Sequence, residues 1–122
     1  MSFFFSLYSA AADAPPLLKW ESNLANPIGA PAEVRARISS LLPELHWSDR
    51  TEVGLSARTR GLVDEGISIY LCEIESGIVS MISTDASPRV LRLLMSEFQL
   101  NCCCAEESGE MRDPFSVGER WP

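Results

Sequence analysis

Residues 67–84, Ile-Ser-Ile-Tyr-Leu-Cys-Glu-Ile-Glu-Ser-Gly-Ile-Val-Ser-Met-Ile-Ser-Thr, constrain this chain's fold more than any other stretch. Two runs of apolar, β-branched and aromatic residues flank Glu75-Ser76-Gly77, and glycine stands where a tight turn asks for positive φ. The pattern predicts an antiparallel hairpin. Amphipathic helical segments lie on both sides of it. From Pro31 to Leu42, Val34, Ile38, Leu41 and Leu42 fall on one stripe. After Ser87-Pro88, Val90, Leu91, Leu94, Met95 and Phe98 form a second stripe, with Arg89 and Arg92 outside it. Proline suits the first helical position in both segments. Ser87 is of the N-cap type, and Pro43 stops the first helix.

The remaining segments read as strands and loops. Phe3 to Tyr8 is apolar on both faces, which suits a strand covered on both sides. Glu52 to Arg58 alternates, with Val53, Leu55 and Ala57 facing one way, and Asn101 to Ala105 makes a last clear strand. Glu107-Ser108-Gly109 repeats the turn tripeptide of the hairpin and is placed to start a short return strand. Residues 13–31 are punctuated by Pro15, Pro16, Pro27, Gly29 and Pro31 and read as loop; the tail 114–122 reads as irregular. Trp20, Trp47 and Trp121 all fall outside regular elements on this reading, with Trp20 as a lid over the core.

The expected order is β-α-β-β-β-α-β. It implies an α+β fold: a two-layer, mostly antiparallel sheet with two helices on one face, the simplest arrangement that buries every stripe. All 122 residues form a single domain, and a chain of this length buries roughly two-thirds of its unfolded surface. The core expected is Val34, Ile38, Leu41, Leu91, Leu94 and Phe98 packed on Phe3 or Phe5, Leu55 and one face of the hairpin.

Net charge is −7, from 17 acidic and 10 basic residues. That balance argues against nucleic acid, which asks for a basic footprint, and against anionic membrane surfaces. Of the basic residues, Lys19 is the single lysine and the rest are arginine, a usage associated with GC-rich bacterial genomes. Residues 62–85 and 93–111 contain no lysine or arginine at all. Their glutamates either form a solvated face or an acidic patch that steers a basic protein partner. On the second reading the contacting residues are Glu73, Glu75, Glu106 and Glu107. Arg120 and Trp121 join them as a possible anchor for a partner or a second copy, making a homodimer possible. The apolar N-terminus lacks a basic n-region and closes on Asp13, so a cytoplasmic protein is expected rather than a secreted one.

Four cysteines occur, Cys72 and the consecutive Cys102, Cys103 and Cys104. Adjacent strand residues point to alternating faces, so Cys103 faces away from its neighbours and the triplet cannot converge on one metal. Neither a metal nor a disulfide is expected, in keeping with a reducing compartment. No cofactor signature is present: the chain has no phosphate-binding glycine motif and no nucleophile elbow. His46, the one histidine, has no partner pattern for nucleophilic catalysis and reads as a surface or packing residue. Carboxylates offer the remaining route to an enzyme. If the turns carrying Glu73 and Glu75 and carrying Glu106, Glu107 and Glu110 were adjacent, they could hold a divalent cation or form an acid–base pair.

Pro27-Ile28-Gly29, Ala32-Glu33-Val34-Arg35, Leu42-Pro43 with Leu45 and Trp47, and Ser108-Gly109-Glu110 resemble a group of small uncharacterised bacterial α+β proteins. No activity is established for that group, so the resemblance transfers no site. The residues favour a non-catalytic protein-binding domain of inhibitor, immunity or adaptor type. The alternatives are a self-associating structural or accessory domain, or an enzyme with an unrecognised carboxylate or thiol site.

Overall fold

The computed structural model describes the backbone of residues 4–21, 24–51, 54–59, 67–73 and 77–116, and the side chains of all of these except 48–51, 54–59 and 73. Among the described residues six strands and two α-helices follow one another: β1 (Phe5–Tyr8), α1 (Pro31–Leu41), β2 (Leu45–Thr51), β3 (Gly54–Thr59), β4 (Ser68–Glu73), β5 (Val79–Thr84), α2 (Pro88–Phe98) and β6 (Cys102–Ala105). They build one sheet in the order β2-β3-β4-β5-β1-β6, with every neighbouring pair antiparallel. The expected hairpin is β4-β5, with Gly77 at φ 77° in its turn and a bulge between Cys72 and Glu73.

Alternation of direction along this order leaves β1 parallel to β2, and β5 parallel to β6. Parallel strands cannot be joined by a tight turn, so each pair requires a crossover. The two helices are those crossovers. Both pack on one face of the sheet, because Val34 and Ile38 of α1 share a buried cluster with Val90, Leu91, Leu94 and Met95 of α2. The same cluster holds Phe5, Leu7, Ile69, Leu71, Ile82 and Cys103 from the sheet. Arg37 ties the helices together: it donates to Glu97 at 2.9 Å, and its guanidinium lies 4.4 Å from the centre of the Phe98 ring. Leu41 and Phe98, expected in the core, are half-buried at its margin.

Both helix starts place proline in the first turn, after Ala30 and Ser87. Helix α2 ends on Gln99 in the left-handed conformation, φ 53°, and its last carbonyls are taken by the Gln99 and Leu100 amides. Among the described residues no helix is long and apolar enough to cross a membrane.

The order differs from the expected one by a strand. Leu45–Thr51 is β2, so four strands separate the helices and Trp47 belongs to the sheet instead of a connection. The Trp47 indole donates to Ser39 Oγ at 2.8 Å, and Arg35 stacks 5.6 Å from its centre. Leu55 lies outside the described side chains. Trp20 is a cover, but of the other layer: its ring meets Tyr8 edge-on at 5.2 Å on the face of the sheet that carries no helix. Its indole donates to the Pro15 carbonyl. After β6 the chain turns at Gly109 and runs back along the strand. The Ala105 amide donates to Glu110 O, and the Arg112 amide to Cys103 O. The short return expected from the second Glu-Ser-Gly triplet is therefore present, and it covers the outer edge of β6.

Candidate functional site

Strand register builds a polar row across the helix-free face. Tyr70 on β4 pairs with Ser83 on β5, Ser83 with Ser6 on β1, and Ser6 with Cys104 on β6. Neighbouring strands stand about 4.8 Å apart, so these side chains form a continuous line on one surface. Glu106 follows β6, where its amide donates to Phe4 O at 3.0 Å. That bond aims its side chain back over β1. Ser6 Oγ donates to Glu106 Oε2 at 2.9 Å, and Ser83 Oγ donates to the same oxygen. Two hydroxyls from two strands thus fix one carboxylate, and Oε1 is the oxygen that an incoming donor would meet.

An open cleft of about 540 Å³ lies above this row. Phe4, Tyr70, Cys72, Met81, Cys104 and Ala105 line it from the sheet, and Leu17 and Leu18 wall it from a single 3-10 turn in the preceding loop. The Phe4 and Tyr70 rings sit 5.9 Å apart, tilted by 47°. Leu18 is 68% exposed, an apolar side chain projecting over the rim. The volume falls in the range of ligand-binding clefts, roughly 300–1,000 Å³, and the lining has their usual character of apolar walls with a few converging polar groups.

The thiols in this cleft are held protonated. Burial pushes the Cys72 thiol up from its ordinary value, and the Glu106 carboxylate adds to the shift. Burial does the same to Cys104, followed by Glu106 and Cys102. Tyr8 is raised as well, by burial first and then by Cys102 and Cys104. A thiol kept neutral is a poor nucleophile. A folded-state value raised above the unfolded one contributes stability that is complete below the ordinary thiol value of about 8.5 and disappears as pH rises through the folded-state value. The denaturation midpoint should therefore fall as pH climbs above about 8.5, and Cys72→Ala with Cys104→Ala should flatten that slope. A midpoint unchanged up to about pH 10.5, well past an ordinary thiol, would contradict the assignment.

Of the site residues expected from sequence, Glu106 and Glu107 have described side chains. Glu106 enters the cleft, while Glu107 and Glu110 stand exposed on the same turn, Glu110 at 3.8 Å from Arg112. Glu73 pairs with Val79 at one end of β5, whereas Phe5 aligns Thr84 and Ala105 at the other. Val79 and Thr84 stand about 17 Å apart along β5, so the backbone of Glu73 and the start of the Glu106–Glu110 turn lie at opposite ends of that strand. Glu75, Arg120 and Trp121 lie outside the described residues. His46 is exposed on β2. Among the described residues no three His, Cys, Asp or Glu side chains converge to hold a metal. Cys103 faces the helices while Cys104 faces the cleft side, as alternation along the strand requires.

Ser6, Ser83 and Tyr70 were missed from sequence as site residues. Their signal was present but weak: small hydroxyls interrupt two strands that are otherwise suited to burial on both faces. No family model, curated protein or solved structure matches the chain.

Proposed function

We propose that this chain is a non-catalytic protein-binding domain of the cytoplasm, of inhibitor, immunity or adaptor type, and that a basic partner docks on the helix-free face of the sheet. One observation carries the reading: the open apolar cleft that ends at the Ser6- and Ser83-held carboxylate of Glu106. The thiols beside it are held protonated by burial and by that carboxylate, which suits a recognition surface better than a nucleophile. Charge supports the partner's sign. Net charge is −7; Glu106 lines the cleft, and Glu107 and Glu110 stand exposed on the chain just after it. Two basic residues stand nearby: Lys19 lies beside the Leu17–Leu18 wall, and Arg112 pairs with Glu110. An acidic rim speeds the approach of a basic surface and weakens as salt is added.

A photo-crosslinking residue at position 18 or 81, on the cleft, should capture one protein in a bacterial cell, and the same residue at position 93, on exposed Leu93 of α2, should not. With that protein purified, replacing Glu106, Glu107 and Glu110 by Gln should slow association at low salt by about tenfold or more. Capture from position 93 alone, or an unchanged on-rate at low salt, would defeat the reading.

A further inference from the structure

We infer that the cleft accepts an apolar side chain bound next to a cation, a lysine or arginine adjoining a large apolar residue in a partner segment, and that Glu106 is the group that selects the cation. The inference rests on the binding-domain reading above and adds the chemistry of the occupant.

The walls and floor ask for different things. Phe4, Tyr70, Met81, Leu17 and Leu18 offer apolar surface, which gains from covering an apolar body. Among the described residues the floor carries a single anion. Ser6 and Ser83 both spend their hydroxyl protons on Oε2 of Glu106, so the carboxylate is oriented before anything binds. Among the described residues no salt bridge joins that carboxylate to a lysine or arginine; the ion pairs there are Arg37 with Glu97 and Arg112 with Glu110. An anion that a ligand will cover with apolar surface loses hydration, and the loss is offset only if the ligand brings a donor or a positive charge. Guanidinium suits the place well. It can donate to Oε1 and lie on the Phe4 or Tyr70 ring, two contacts that a fixed planar fork makes at once. The rings stand 5.9 Å apart on the same cleft wall.

The open form of the cleft decides the source. A small molecule held alone is usually enclosed over 70–90% of its surface. Here the Leu18 wall is itself 68% exposed, so an occupant stays open on one side unless the rest of a larger partner covers it. A protein segment provides that cover; a free amine does not.

The test uses the full chain, isotopically labelled, and three probes followed by amide chemical shifts. The probes are N-acetyl-Phe-Arg-amide, N-acetyl-Phe-citrulline-amide, which has the same shape without the charge, and 4-phenylbutylammonium as a free cation. The arginine peptide should move the amides of Tyr70, Cys72, Ser83 and Glu106, and bind about fivefold more tightly than the citrulline peptide, as one half-exposed ion pair allows. The preference should vanish in Glu106→Gln, whose unchanged amide shifts along α1 and α2 would show that it is folded. The free amine should bind more weakly than the arginine peptide; an amine that binds more tightly would reassign the cleft to a small ligand and overturn the choice of source. Equal binding of the two peptides to the unmodified chain overturns the selection of a cation while leaving a binding cleft in place. Shifts absent from the cleft with every probe overturn both.

Discussion

Leu94→Ala should cost about 2–5 kcal/mol of folding stability, while Leu93→Ala on the same helix should cost under about 0.5 kcal/mol. Leu94 is fully buried in the cluster that joins α1, α2 and the helix-side face of the sheet, and Leu93 is 36% exposed. Truncation at Leu94 removes apolar surface from a packed site and leaves a cavity lined by elements that are fixed by their own hydrogen bonds. Neighbours in such a site relax only in part. A domain of this size holds about 5–15 kcal/mol in total, so the substitution removes a large share of it. Urea denaturation at equal slope separates the two variants. Equal midpoints would mean that α2 presents a different face to the sheet.

The contrast between these two leucines was legible in the sequence, because period-3.6 patterning places 91, 94 and 98 together and 93 outside. So was the hairpin, where β-branched runs and glycine agree with each other. The first strand was legible for a third reason: residues apolar on both faces belong in the middle of a sheet, and β1 lies between β5 and β6. Strand β2 was not legible. Leu45-His-Trp-Ser-Asp-Arg-Thr51 alternates poorly and carries three polar residues in a row before its end. Its extended form comes from pairing with β3, a tertiary effect that local propensity does not report. The cleft was hidden for the same kind of reason. Ser6 and Glu106 are 100 positions apart and meet because β1 is inserted beside β6, a choice made by the whole sheet. The alternation of the cysteine triplet needed only the strand itself, and it could be read directly.

Gly109→Ala should weaken the cleft without a matching loss of fold, and Gly77→Ala supplies its control. Both glycines adopt the left-handed region, φ 74° and 77°. An alanine there costs about 1–2 kcal/mol through the clash of its Cβ with its own backbone. At Gly77 an added Cβ has nothing within 4 Å, so that strain is the whole effect. At Gly109 the Cβ would come within 2.3 Å of Leu18 Cδ1 and 2.8 Å of its Cγ. Leu18 has to move. Because it is largely exposed, it can swing outward at little energetic expense, so the two variants should differ in stability by less than about 1 kcal/mol. Their effect on recognition should separate them. Leu18 is a wall of the cleft, and displacing it should reduce binding of N-acetyl-Phe-Arg-amide about threefold or more, by the loss of roughly one side chain's contact area. Leu18→Ala should give the same loss by deletion. The double variant Leu18→Ala with Gly109→Ala should bind no worse than either single one, because both act through one side chain and their effects cannot add. Additive losses would place the action of Gly109 elsewhere, in the turn that orients Glu106. A Gly109→Ala protein that binds like the unmodified chain would remove Leu18 from the recognition surface.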